Sequence, residues 1–216
     1  MEFEKASRRL SSLPDPLPAP PAALRPVLLL GGDALPGVLD PAAGPARAAA
    51  VLALVHPGPD GEAQVVLTER PSGEIRHSGE VSLPGGAIDP ADASAEEAAV
   101  REAREEIGLD VDQAGVRLVG RLEVVQIPVS GFELVPVVAI AEREPRLVPD
   151  AREVAALIHA PLAAFLPGAL IETAEEERSG MRFRFGYFPI AGYRVWGATA
   201  RILGQLGAVV GAAERR

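Results

Sequence analysis

The segment from Gly85 to Leu109, GGAIDPADASAEEAAVREAREEIGL, constrains the fold most, because its second half can only be a short two-faced helix. At about 100° per residue, Glu102, Glu105 and Glu106 fall within roughly a quarter-turn of one another, while Val100, Ala103 and Ile107 share a face that can be buried. Ser94 stands three residues before Glu97 as in a capping box, and Gly108 sits where a left-handed residue ends a helix. The spacing therefore predicts a helix from about Ala95 to Ile107. Ala95 and Ala98 are expected on its acidic side, leaving the carboxylates accessible. Three like charges in a partly dry groove repel unless a divalent ion compensates them, and carboxylate oxygens are the hard ligands Mg²⁺ or Mn²⁺ prefers. The same letters also suit a solvent-facing Glu/Arg helix with pairs such as Arg101 and Glu105. The glycines just upstream favour a site.

This stretch resembles the Nudix box, which runs Gly, five residues, Glu, seven residues, then Arg-Glu-apolar-x-Glu-Glu-x-Gly-apolar. The second half is complete. In the first half Asp92 stands where the pattern has Glu, and eight residues rather than seven separate it from Arg101, consistent with one inserted loop residue. Upstream, Leu67-Thr68-Glu69-Arg70 and His77-Ser78-Gly79-Glu80-Val81-Ser82-Leu83-Pro84-Gly85-Gly86 resemble the signature of coenzyme A pyrophosphatases within that superfamily, with Pro71, Glu74, Ile75 and Leu83 departing from it. Phe185-Gly186-Tyr187 and Val195-Trp196-Gly197-Ala198-Thr199-Ala200-Arg201-Ile202-Leu203 are similar to the ending of the same subfamily.

The resemblance implies an α/β (α+β) fold, the Nudix-type α/β/α sandwich with a central mixed β-sheet, covering about Arg47 to Leu206. It implies that Glu102, Glu105 and Glu106, with a backbone carbonyl near Gly86, hold Mg²⁺ or Mn²⁺, and that the same glutamates are the catalytic set. Asp92 is then a supporting carboxylate. Arg101 either pairs with a helix carboxylate and orients it or contacts phosphate. The implied reaction is hydrolysis of the diphosphate of coenzyme A or a CoA ester to 3′,5′-ADP and a 4′-phosphopantetheine product. The alternatives are another nucleoside diphosphate derivative such as ADP-ribose or a dinucleoside polyphosphate, or a nucleotide-sensing module without catalysis.

Around the helix, substrate contacts have two readings each. Gly85 and Gly86 permit positive φ and close backbone approach to a diphosphate. Arg70 and Arg76 can grip a 3′-phosphate bidentately or be solvated loop arginines. His77 has the titration range of a general base, or hydrogen-bonds its turn or a substrate phosphate. Glu172, Glu175, Glu176 and Glu177 read as a solvated loop, and by resemblance one of them could act as base. His56 and His159 carry no signal.

The remainder sets bounds. A chain of 216 residues suits one well-buried domain, read as residues 26–216 after a Pro-rich extension, 1–25. No apolar run approaches the roughly 20 residues of a membrane helix, no secretory signal is evident, and without cysteine there is neither disulfide nor thiol catalysis. A net charge of -9 and a pI near 4.9 argue against a nucleic-acid surface. The expectation is a cytoplasmic protein with a small-molecule partner, no nucleic-acid or membrane partner, and a possible homodimer. Ala48 to Val55 and Ala63 to Thr68 read as a hairpin about the turn at 56–61. Val116 to Val125, Glu133 to Ala141, Glu153 to Ile158 and Arg182 to Phe188 read as strands, and Leu162 to Leu166 and Gly197 to Leu206 as helices.

Overall fold

The computed structural model describes residues 1–30, 33–36, 47–71, 80–127, 131–178 and 181–212. In chain order its elements are the helix Phe3–Arg9 (α1) and the strands Val27–Leu30 (β1), Asp33–Pro36 (β2), Arg47–Pro57 (β3), Ala63–Glu69 (β4), Val81–Ser82 (β5) and Gly85–Ala87 (β6). The helices Ala95–Ile107 (α2) and Val111–Ala114 (α3) follow, then the strands Val116–Arg121 (β7), Val125–Ile127 (β8), Phe132–Ala141 (β9), Ala156–Pro161 (β10), Glu172–Arg178 (β11), Met181–Ile190 (β12) and Tyr193–Trp196 (β13), and the helix Gly197–Ala212 (α4).

The central sheet has the order β10-β4-β3-β9-β7, with β5 on β4, β6 on β3 and β8 on β9. It is mixed: β3 and β9 run parallel, from Arg47↔Phe132 to Val55↔Ile140, and the other pairs are antiparallel. Its middle strand is apolar without alternation because both faces are covered. Ala50, Leu52 and Leu54 point into one core with Val137, Ala139 and the buried side of α2. Val51, Ala53 and Val55 point the other way, into a larger core with Val65, Leu67, Val138, Leu203, Leu206 and Phe188. The helix α2 thus covers one face, and α4, α1 and part of a second sheet cover the other, which is the expected layered α/β architecture. No helix among the described residues is long and apolar enough to cross a membrane.

Several expectations shift. The Pro-rich extension, expected either wrapped on the domain or mobile, packs onto the second core through Phe3, Ala6, Leu10 and Leu24, and the Gln205 amide donates to Pro18 O at 3.1 Å. The strand expected at Glu153 begins instead at Ala156, because Glu153 N and Val154 N both donate to Asp150 O in a turn. The stretch 116–125 divides into β7 and β8, with a register irregularity between Leu118 and Gly120. The glutamate run is a strand rather than a loop: β11 pairs along β12, with Glu175 opposite Arg184. Its acids do not alternate and face mixed partners across the ladder, Glu175 and Glu177 opposite Arg184 and Arg182 but Glu172 and Glu176 opposite Tyr187 and Phe183, so no apolar pattern marked it. The second sheet, β11-β12-β1-β2 with β13 on β12, includes strands β1 and β2 that were not anticipated.

Candidate active site

The helix α2 begins and ends as its letters require. Ser94 Oγ accepts from Glu97 N at 3.2 Å, and Gly108 closes the helix in the left-handed region at φ 63°. The reciprocal arm of the capping box lands one residue early, on Ala93 N, which donates to Glu97 Oε2 at 2.7 Å. Ala95, Ala98, Ala99, Ala103 and Ile107 are buried. This corrects the expected placement of Ala95 and Ala98: they are buried against the sheet rather than lining the acidic groove. Their small size instead lets the helix axis lie close to β3 and β6. Glu106 falls near the middle of that buried arc and is only 6% exposed.

Two glycines set how the helix meets the sheet. Gly85 has φ 153°, and a Cβ there would lie 2.3 Å from Ala50 O. At Gly86 a Cβ would lie 2.6 Å from the carboxylate of Glu102, so only glycine lets that side chain rest on β6. Gly85 N donates to Glu106 Oε2 at 3.0 Å. Its amide is therefore taken by a carboxylate rather than turned toward a diphosphate. Gly86 stands opposite Ala50 in the β3–β6 ladder.

Arg101 organises the remaining charges. Its Nε and Nη2 donate to Asp92 Oδ1 and Oδ2 at 3.0 and 2.9 Å, a bidentate grip. Nη1 donates to Glu102 Oε1 at 2.8 Å and Glu105 Oε2 at 3.1 Å, and Nη2 to Ala87 O at 3.1 Å. Asp92 is held below the usual carboxylate range by that guanidinium. The arginine thus ties the 87–92 turn to the helix that follows, and it faces the glutamates rather than an open groove.

The three glutamates are accordingly divided. Glu102 and Glu105 share Arg101, whereas Glu106, among the described residues, has no ion-pair partner and accepts from a backbone amide. Burial pushes the Glu106 carboxyl up to about 7, against the pull of Gly85 N–H and Arg70, and the negative charges of Glu102 and Glu153 push it further. Among the described residues no three acidic or histidine side chains converge as a ready ligand set. The donor chemistry nevertheless fits a hard divalent cation: a buried carboxylate short of positive charge, with a second carboxylate one turn away resting on a glycine strand.

Of the expected substrate residues, Arg70 lies within electrostatic reach of Glu106, its backbone N donating to Glu80 O at 3.1 Å. Arg76 and His77 lie outside the described residues. The late glutamates are engaged elsewhere. Glu175 pairs with Arg182 at 3.0 Å and Arg184 at 2.7 Å, Glu176 with Arg194 at 3.5 Å, and Glu172 accepts from Tyr187 Oη. Glu153 is the acidic neighbour that sequence reasoning missed. It comes close because Val148 N and Asp150 N donate to Ile107 O and Glu106 O at the helix end, a long-range contact with no sequence signal.

The chain is similar to known proteins of one family. The family described as the NUDIX domain matches residues 46–179. Mitochondrial Nudix hydrolase 15 of Arabidopsis thaliana is 37% identical over 163 residues, 73% of this chain and 56% of the plant protein, so the chain spans little more than half of that relative. The uncharacterized Nudix hydrolase NudL of Cronobacter sakazakii is 36% identical over 165 residues, 76% of this chain and 83% of its own length. A crystal structure of the M. smegmatis Nudix hydrolase RenU is 27% identical, with a TM-score of 0.46 over 64% of this chain and 80% of that one.

Proposed function

Because the chain belongs to the Nudix hydrolase family, we propose that it cleaves the diphosphate of coenzyme A or a CoA ester, releasing 3′,5′-ADP and a 4′-phosphopantetheine product. Family membership makes it a hydrolase of the pyrophosphate linkage. What supports the CoA reading is the segment that resembles the CoA signature, whose two halves are joined where Arg70 N donates to Glu80 O at 3.1 Å. A second anchor of that segment is Thr68, which is buried and whose Oγ1 lies 3.1 Å from Ser82 Oγ, holding the two halves of the signature together.

In this reading Glu106, Glu102 and Glu105 hold Mg²⁺ or Mn²⁺, which Nudix hydrolases generally use. When bound, such an ion lowers the pKa of water and offsets charge on the phosphoryl oxygens. Glu102 takes the proton of the attacking water on a carboxylate oxygen. The water oxygen bonds to phosphorus in line, and the bridging P–O bond breaks with its electrons leaving on the departing phosphate. Arg101, fixed by Asp92, orients Glu102. Arg70 meets the 3′-phosphate that CoA carries and dephospho-CoA lacks. The ion pairs of Glu175 and Glu176 and the hydrogen bond from Tyr187 Oη to Glu172, all on the second sheet, support a base within α2 rather than in the late run.

The test is a substrate panel of CoA, dephospho-CoA, ADP-ribose, dinucleoside polyphosphates and nucleoside triphosphates with Mg²⁺ or Mn²⁺, products identified by mass. CoA should give 3′,5′-ADP with the highest kcat/KM, and Arg70→Ala should weaken CoA more than dephospho-CoA. A tenfold preference for ADP-ribose or a dinucleoside polyphosphate would overturn the CoA reading.

A further inference from the structure

Resting on the hydrolase reading above, we propose that the cleft where β3, β6 and β9 begin or end together seats the nucleobase of the substrate, stacked on Arg47 and Phe132. The register puts these strands at one level: Arg47 lies opposite Phe132 in the parallel pair, and Ala49 opposite Ala87 in the antiparallel one. A cleft of about 440 Å³ opens there, lined by Arg47 and Phe132 and by Ile88, Asp89 and Pro90 of the turn that follows β6. That volume is in the range of small-ligand sites.

Its walls suit a flat heteroaromatic ring. The Arg47 guanidinium carbon lies 4.1 Å from the Phe132 ring centroid, making a planar shelf of cation on aromatic ring. Ile88, half-buried, and Pro90 add apolar lining. The nearby backbone donors are already used: Arg47 N on Gly131 O, Ile88 N on Ala48 O, Asp89 N on Asp92 Oδ2 and Ala91 N on Asp89 Oδ1. The Arg47–Phe132 shelf offers a flat ring a face to stack on. This favours stacking with modest discrimination among bases, as on other single-base platforms.

The position also fits. Ala87, a wall residue, has its carbonyl hydrogen-bonded by the same Arg101 guanidinium that grips Glu102 and Glu105. One guanidinium therefore separates the cleft from the carboxylates, and a base seated there directs its phosphates toward them.

The test uses binding rather than turnover, on the full chain with Mg²⁺, by calorimetry. The probes are α,β-methylene-ADP, methylenediphosphonate and pantetheine; the variants are Phe132→Ala, Phe132→Leu, which keeps apolar bulk but removes the flat face, and Arg47→Ala. The wild type should bind the ADP analogue at least tenfold tighter than the diphosphonate. Each Phe132 variant should lose about 5- to 100-fold on the ADP analogue and less than twofold on the diphosphonate, with Arg47→Ala intermediate. The assignment is overturned if the base adds no affinity in the wild type, if the folded variants retain it, if both phosphate probes weaken equally, or if pantetheine is the probe that responds. Absence of turnover on every diphosphate, with these binding losses intact, would refute the hydrolase reading and leave the base cleft standing.

Discussion

Glu106 and Arg101 are the side chains whose environments most limit what this helix can do. Glu106 is the buried acid, compensated among the described residues by a backbone N–H and the more distant Arg70, while Arg101 satisfies the two more exposed acids. Glu106→Gln keeps the volume and a group able to occupy the pocket at Gly85 while removing the charge. Activity with Mg²⁺ should fall by on the order of 10²-fold, with little change in Tm because no native ion pair is broken; near-normal kcat in steady-state assays would sink the ligand role. Arg101 is argued to work through Asp92, so Asp92→Asn and Arg101→Lys should be strongly non-additive. A double-mutant cycle on kcat should show a coupling of about 0.5–3 kcal/mol. Additive losses would mean that Asp92 merely sits nearby. Replacement by Lys matters here because an ammonium cannot reproduce the bidentate fork on Asp92 together with the contacts to Glu102, Glu105 and Ala87.

The boundaries of α2 were legible residue by residue, since Ser94 and Gly108 act locally and do not depend on what the helix packs against. Its orientation was not: the periodicity placed Ala95 and Ala98 beside the acids, but which side is covered is decided by β3 and β6. The two adjacent glycines separate these effects experimentally. Gly85→Ala puts a methyl against the backbone carbonyl of Ala50 at a φ that disfavours a side chain, so it should lower Tm by several degrees and activity with it. Gly86→Ala meets only the end of the Glu102 side chain, which can swing away. Thermal melts should show a near-native Tm for Gly86→Ala while kcat drops by tenfold or more. Equal destabilisation of the two variants would show that β6 tolerates no Cβ at either position and would remove the argument for Glu102 resting there. The strand β11 is the counter-example in reading elements: its acids pair with Arg182, Arg184 and Arg194, which lie on other strands. Changing Glu172, Glu175, Glu176 or Glu177 singly to Gln should leave kcat within about tenfold, below the 10²–10⁴ of a general base.

Across the whole molecule, the ends of β3 and β10 meet at a histidine pair that neither strand announces. His56 is fully buried, with Nε2 3.1 Å from His159 Nδ1 and Nδ1 2.9 Å from Pro57 O, and His159 is exposed. Burial lowers the His56 pKa below 6.5; His159 lowers it further, while the Pro57 carbonyl, Glu144 and Glu62 oppose the shift. A depressed base contributes stability that is complete above its ordinary value of 6.5 and is lost as pH falls below it, since the unfolded chain takes the proton first. Glu106 acts oppositely in the metal-free protein, because its raised pKa of about 7 favours the folded state below 4.5 and that advantage fades toward pH 7. The useful measurement is therefore the difference between wild type and His56→Gln in urea unfolding, from pH 8 to pH 5 with chelator. The wild type should lose ground relative to the variant on the acid side; a pH-independent difference would refute the assignment. The sequence by itself determined the capped acidic helix, the glycine pair before it, the apolar strands and the family, because each rests on near neighbours or on a contiguous pattern. Only the tertiary structure decided which acid is buried, that Glu153 approaches Glu106, and that Arg47 meets Phe132. Those facts depend on segments dozens of residues apart being brought into register, and a charge acquires its environment only when that packing excludes water from it.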